Sequence, residues 1–593
     1  MSGGSLPYPL LLARPIMFRS RLRFRLLPVL SLTFLFAAPA NALQQVVAGA
    51  PGETVRTAGG MVVSEHPEAS KAGAAVLASG GNAVDAAIAT GFALAVTHPS
   101  AGNIGGGGFM VIRFPDGTTT ALDFREKAPF ASHPNMWLDE NGEYSSQRHH
   151  NSHMAVGVPG TVAGFDKAHL LYGALEWEAL VEPAVGLARD GFVLSDRLAR
   201  SLASMIDRNQ RYPATVAAFS NNGTPYLGGE TFRQPDLAAT LTRVLEARSD
   251  GFYDGETARL LVAEMERGGG IITERDLQAY RPRERVPVQG TYRGYDIISM
   301  APPSSGGVAI VGMMNLLEEW DLAAMGHNSP AYIHHLTEAM RLAYRDRATF
   351  IADPDMVDIP VHRLTSKGYA DQLRPLINSD RATPSVLSDV TSTQWPEGPE
   401  TTHYSVVDAD GMAVSVTYTL EQGFGSGIVV AGAGFLLNNE MGDFNAGPGL
   451  TNESGLIGTE PNLARPEQRM LSSMTPTILA RDGQLVAVIG SPGGRTIINT
   501  VLQVALNLID HEMNLTDAVA AARVHHQWFP DRLSIEGDGV PESTLEALRA
   551  MGHEVTMRGG QGLAHSIWID PATGERVGQP DSRNPDSGAA GHR

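Results

Sequence analysis

The sequence predicts an α+β protein, and three stretches carry that expectation. Residues 403 to 407 and 412 to 419 alternate apolar and polar side chains on either side of Ala409-Asp410-Gly411, the pattern of a β-hairpin closed by an Asp-Gly turn. Residues 236 to 249 and 332 to 350 instead space their apolar residues at the helical period. Residues 485 to 489 read as a strand that passes through Gly493-Gly494 into an amphipathic helix over 496 to 509. At 593 residues the chain is too long for one ordinary core and long enough for two large, closely packed segments.

The chain opens on a targeting segment. Arg19, Arg21, Arg23 and Arg25 precede an apolar run over 26 to 38, interrupted by Pro28, and Ala40-Asn41-Ala42 supplies a small-x-small cleavage site with a mature start at Leu43. The run is short of the ~20 residues that span a bilayer, so secretion into a periplasm is expected rather than a stable membrane anchor. Met17 is a second candidate start, directly ahead of the basic run. Residues 1 to 42 hold five arginines and no acidic residue, so their loss takes the formal charge of −19 five units lower, to −24. So acidic a protein is a poor partner for nucleic acid or anionic lipid. The chain has no cysteine, which excludes disulfides, thiol catalysis and thiolate metal sites.

Residues 68 to 96 read as alanine-rich helix, divided at Gly80-Gly81 with Asn82 as the cap of the second half. The run Gly105-Gly106-Gly107-Gly108 invites a nucleotide-binding reading, but a strand rather than a helix follows it, so close backbone packing is the better account. Arg125, in Asp123-Phe124-Arg125-Glu126, follows a further strand over 118 to 122. An arginine there is either a surface or ion-pair residue, or a carboxylate ligand through its planar fork. Gly157 to Phe165 reads as a turn into a helix, and Pro302-Pro303-Ser304-Ser305-Gly306-Gly307 as a structural loop. The adjacent pairs His149-His150 and His525-His526 point to different sides in most conformations and have no carboxylate cluster with them, so no metal site is expected.

At the head of the hairpin stand Thr401 and Thr402. A threonine opening a strand is often only a good β-former. Alternatively, Thr401 is the first residue of a mature subunit, and its own α-amino group accepts the proton that makes the hydroxyl a nucleophile. The reference pKa of such an amine, about 7.7 to 8.0, suits that task. This reading requires cleavage between Glu400 and Thr401, at the end of a loop-like run over 394 to 400. Thr419 ends the second strand, beside Thr401 in a regular hairpin, and Glu421 follows it. Glu440 and Asp443 are either solvated charges or a site for a cation. Residues 446 to 465, rich in Gly, Pro, Asn and Ser, read as a mobile loop of the kind that forms lids. Ser472-Ser473 precede a strand. The N–H groups of Gly493 and Gly494, at a helix N-terminus, either make a plain strand–helix turn or await an oxyanion. The tail from 579 to 593 is polar, and is either ordered against the site or frayed.

Thr401-Thr402-His403-Tyr404-Ser405-Val406-Val407-Asp408, with Asp410-Gly411 after it, resembles the small-subunit start of the γ-glutamyltransferases (γ-glutamyltranspeptidases). These are N-terminal nucleophile hydrolases made as one chain that cuts itself in two. The glycine run, Asp123-Phe124-Arg125-Glu126, Asn438-Asn439-Glu440-Met441-Gly442-Asp443, Ser472-Ser473 and Gly490-Ser491-Pro492-Gly493-Gly494 recur in the family's order, over nearly all of the chain after the leader. The resemblance implies a four-layer αββα sandwich built jointly by a large subunit (43–400) and a small one (401–593), which stay together as a heterodimer. It implies Thr401 as nucleophile, Thr419 as its assistant, and Gly493 and Gly494 as the oxyanion hole. Arg125, with Ser472 and Ser473, would grip the substrate's α-carboxylate, while Glu440 and Asp443 hold its α-ammonium. Glu421 is a weaker contact, at a position where many members carry asparagine. The implied reaction cleaves the γ-glutamyl amide of glutathione or a relative and passes the group to water or to an amino-acid or peptide acceptor, with no cofactor. Two departures stand out: Ser454 where some members have an aromatic gate, and Asp581-Ser582-Arg583 where Asp-Pro-Arg is usual. The alternatives are a cephalosporin acylase of the same superfamily, whose glutaryl substrate has no α-ammonium, and a non-catalytic binding protein with an intact chain.

Overall fold

The computed structural model of the protein describes residues 45–387 and 401–593. The proposed leader, the loop over 394 to 400 and Glu400 lie outside the described residues.

The expected hairpin forms the middle of the molecule. Thr402–Val407 and Ala413–Thr419 pair antiparallel, with Thr402 opposite Tyr418 and Val407 opposite Ala413. Both strands are buried on both faces, and their alternation sorts two environments. Tyr404, Val406, Val414, Val416 and Tyr418 enter an apolar core shared with helices. Ser405 and Ser415 face the opposite way and donate to the carbonyls of His565 (2.9 Å) and Ile489 (3.1 Å) in a second sheet. By the two-residue period, Thr401 and Thr419 fall on that second face, in the gap between the sheets.

Met61–Ser64 pairs with the first hairpin strand and Gly107–Arg113 with the second, within a sheet of eight strands. The second sheet has seven strands, with Thr477–Arg481 and Gln484–Ile489 at its middle. Outside the first sheet lies Ala83–Thr97, capped by Asn82 as expected and buried at every residue. Alanine makes this all-round burial possible, since a small side chain lets neighbours approach from every side. Phe92 is its one aromatic residue, and it meets Phe165 and Trp177 edge-on at 5.2 and 5.6 Å. Gly306–Leu317, Pro330–Phe350 and Thr496–Ile509 share a second core with Ile478 and Val488 of the other sheet. The layers therefore run helix, sheet, sheet, helix, as the resemblance implies.

The tail is not frayed, and part of it, Arg583, Asn584 and Asp586, lines a cavity on which Thr401 also lies. Gly588–His592 is an interior strand of the first sheet, between Val46–Ala48 and Met61–Ser64. Strands from before and after residue 400 are thus interleaved in one sheet. Ahead of it, Asp581 is buried and takes Arg523 at 2.6 Å. Burial works against that carboxylate, but Arg523 and Arg583 hold it below the usual range. Residues 446 to 465 form a loop bonded to itself, Asn445 N–H to the Asn462 carbonyl (2.8 Å) and Asn452 N–H to that of Leu456 (2.9 Å). No helix among the described residues is long and apolar enough to cross a membrane.

Candidate active site

The hairpin's open end carries the two threonines that the sequence singles out. Thr401 is buried, and its hydroxyl donates to that of Thr419 at 3.4 Å. The Thr419 hydroxyl in turn accepts the Glu421 N–H at 2.8 Å. The Thr419 carbonyl accepts from the side-chain amide of Asn103 (2.9 Å), whose oxygen takes the Gly106 N–H. A Cβ on Gly106 would collide with that same carbonyl, so the glycine run serves close backbone approach behind Thr419.

One cavity gathers Thr401, Thr419, Arg125, Glu421, Glu440, Asp443, Ser472, Ser473 and Gly494 around it. Of the predicted residues, Gly493 alone stands outside that lining, one position behind Gly494. Arg125 is 315 residues from Glu440 and 318 from Asp443 in sequence, so only the fold brings them together.

Arg125 leaves the strand Thr119–Phe124 and is fully buried. Its two terminal nitrogens pair with Glu440 and Asp443, and Glu126 lies 3.6 Å away. The expected grips for the substrate's two charges therefore hold each other rather than standing apart. A buried guanidinium needs carboxylates around it, and these are the nearest. Burial alone would depress Arg125, but the three carboxylates raise it above its ordinary value. Burial also raises Glu440, against the pull of Arg125 and with the help of Glu126 and Asp443.

Glu126 is the least satisfied group in the cluster, with neither carboxylate oxygen hydrogen-bonded. Burial pushes it up to about 7, Arg125 notwithstanding. A carboxyl raised in the folded state binds a proton there that the unfolded chain has released. Stability is therefore lost as pH rises from the ordinary value of 4.5 to about 7, and the loss levels off above that. Glu126→Gln is expected to flatten this slope, raising the melting temperature at pH 7 by ~1–3 °C relative to wild type while changing little at pH 4.5. Parallel melting curves for the two proteins across that range would reject the assignment.

The turn Glu440–Asp443 is held from several sides. Asn438 accepts the N–H groups of Gly157 (2.8 Å) and Glu440 (3.0 Å), which explains the family-like Gly157 stretch. Two histidines that the sequence leaves without a role brace the same turn. His149 meets the Met441 carbonyl at 3.1 Å, and His150 lies 3.2 Å from the Glu421 carboxylate. Glu421 itself has φ of 79°, a backbone region that non-glycine residues rarely occupy.

Ser472 and Ser473 are fixed by the loop that begins at Pro302. The Ser304 and Ser305 hydroxyls donate to the carbonyls of Met474 (2.6 Å) and Ser472 (2.7 Å). Arg347, which sequence reasoning missed, donates to the hydroxyls of Ser305 and Ser473, both at 3.0 Å. A Ser473 oxygen that accepts from Arg347 keeps its own proton for another partner. Gly493 and Gly494 have φ of 133° and 56°. Their carbonyls accept from Thr496 and Ile497 in the first turn of the helix, and neither glycine N–H donates a hydrogen bond among the described residues. The unused Gly494 N–H, on the cavity that Thr401 lines, and that of Gly493 next to it in the chain make a fitting seat for negative charge.

A four-layer fold with a threonine at the head of its central hairpin is that of the N-terminal nucleophile hydrolases. The family model for gamma-glutamyltranspeptidase matches residues 69–591. The chain is 46% identical over 539 residues to the glutathione hydrolase proenzyme of Escherichia coli (strain K12), covering 91% of this chain and 93% of that one. Among solved structures, Helicobacter pylori gamma-glutamyltranspeptidase is 45% identical over 54% of this chain and 92% of its own, with a TM-score of 0.53. The cephalosporin acylase of Bacillus halodurans is 27% identical, with a TM-score of 0.79 over 91% of this chain and 96% of that one. The chain belongs to the γ-glutamyltranspeptidase family.

Proposed function

We propose that the protein is a γ-glutamyltransferase and glutathione hydrolase that activates itself by cutting its chain before Thr401. The observation that carries this reading is the meeting of Thr401 and Thr419 with Arg125, Glu440 and Asp443 at one cavity. An α-amino acid offers one carboxylate and one ammonium, and a guanidinium already paired with carboxylates can exchange partners with both ends of that zwitterion. Arg125, with Ser473, then takes the α-carboxylate, and Glu440 and Asp443 take the α-ammonium. The γ-carbonyl is left to reach Thr401.

Thr401 Oγ attacks that carbonyl, its proton passing to the α-amino group exposed by cleavage after Glu400. The N–H groups of Gly493 and Gly494 receive the oxyanion. The C–N bond breaks, the leaving amine collects the proton, and a γ-glutamyl ester remains on Thr401. Water or an acceptor amine resolves the ester by the reverse proton path. The cut yields a heterodimer of 43–400 and 401–593 whose strands interleave, and the basic, apolar leader directs the protein to the periplasm.

The likeness to a cephalosporin acylase supports a second reading, cleavage of glutaryl amides. A glutaryl group carries no ammonium for Asp443 and Glu440, so the two readings separate on matched anilides. The wild type is expected to favour the γ-glutamyl anilide by on the order of 10²-fold in kcat/KM. Asp443→Ala should remove most of that preference. Faster turnover of the glutaryl anilide by the wild type would decide for the acylase.

A further inference from the structure

Thr401 also lines a second, larger cavity, and it is the one residue that the two cavities share. The segments around Glu421 and Gly494 divide them. Glu421 and Gly494 face the first cavity, while Gly423, Phe424 and Pro492 face the second. The second cavity extends along the helix Asp196–Arg208, which presents Arg197, Ser201, Ser204 and Arg208 to it. Steps of four, three and four residues place these side chains on a single helical face.

Two of the guanidinium groups on this wall have no carboxylate partner. Arg208 is exposed and makes no hydrogen bond or ion pair among the described residues. Arg197 is exposed too, and donates to the amide oxygen of Asn584. Arg583, by contrast, is committed to Glu536 and Asp581. The acidic groups on the cavity are occupied as well: Glu65 by Asn584 (2.6 Å) and His565 (3.4 Å), and Asp586 by the Ser195 hydroxyl (2.6 Å). Burial, first of all, lowers His66 and His98, so neither imidazole adds positive charge at neutral pH.

We propose that this cavity receives the group on the far side of the scissile bond, and that Arg197 and Arg208 select partners ending in a free peptide carboxylate. The inference rests on the reading above, in which Thr401 carries the acyl group. A carbonyl attacked by Thr401 Oγ has its acyl chain on one side and its leaving nitrogen on the other. With the glutamyl part in the Arg125 cavity, the leaving group extends into the second cavity that Thr401 lines. The part of glutathione released there is a dipeptide with a terminal carboxylate, and a dipeptide acceptor enters by the same route. Its amine forms the new C–N bond as the C–Oγ bond to Thr401 breaks, and the amine's proton returns to Oγ through the Thr401 α-amino group.

The test uses the processed enzyme with γ-glutamyl p-nitroanilide as donor, because the released aniline has no carboxylate. Glycylglycine and glycylglycinamide are compared as acceptors, with transfer product measured directly. The wild type is expected to prefer the acid over the amide by ~10-fold or more in acceptor kcat/KM. The ratio should fall toward one in the Arg197→Gln/Arg208→Gln double variant. Arg208→Gln alone, at an exposed position, should lower the ratio part of the way and guards against misfolding caused by the lost Asn584 contact. A wild type that releases p-nitroaniline yet treats acid and amide alike overturns this inference and leaves the site reading standing, as does a double variant that keeps the full preference. A wild type that releases none overturns the site reading itself.

Discussion

Thr401→Ala leaves the chain in one piece and lowers turnover of a γ-glutamyl anilide by on the order of 10⁴-fold or more. Both effects follow from one atom. In the proposed mechanism the hydroxyl that attacks the substrate is the one that first attacks the bond after Glu400, and alanine has none. Thr419 cannot substitute, because it lies in mid-chain and has no α-amino base of its own. Intact mass spectrometry reads the first effect and steady-state kinetics the second. Two fragments of wild-type mass from the variant, or wild-type turnover, would end the mechanism proposed here.

Arg125→Lys lowers donor kcat/KM by ~10²–10³-fold, chiefly through KM. Lysine keeps a positive charge among Glu126, Glu440 and Asp443, but a point charge cannot span two carboxylates and then offer a planar fork to a third. Arg125→Met removes the counter-ion altogether and leaves Glu440 and Glu126 buried beside each other, at a stability cost of ~3–5 kcal/mol. Kinetics on the lysine variant and denaturation of both variants separate binding from folding. A lysine variant with wild-type KM would mean that the α-carboxylate is held elsewhere.

Local chemistry made much of this molecule readable in advance. The hairpin at 402–419 announces itself by period and by an Asp-Gly turn, and Asn82 caps its helix with a side chain two and three residues from its partners. The site residues are legible only as members of a family's motifs in order, since nothing in Asp123-Phe124-Arg125-Glu126 points to Glu440. The fold then adds what no window of sequence contains. His150 meets Glu421 from a polar segment that looked inert, and Arg347 reaches Ser473 from the middle of a long amphipathic helix. The mutual pairing of Arg125, Glu440 and Asp443 is equally invisible, because it joins side chains more than 300 residues apart that no sequence window contains together. Gly588–His592 escaped for a different reason: Gly, Ala, Ala, Gly and His carry almost no strand preference, and pairing on both sides makes the strand.

That last strand has a bearing on when the protein can exist at all. Its place between two strands from the extreme start of the described chain means that a nascent polypeptide, with its C-terminus still inside the ribosome, lacks an interior piece of the sheet that carries Thr401. The sheet that carries Thr401 is therefore completed only by residues 588–592, the latest of its strands to be made. Translation order thus sets the order in which this sheet can close, with the hairpin at 402–419 made well before the strand that joins Val46–Ala48 to Met61–Ser64.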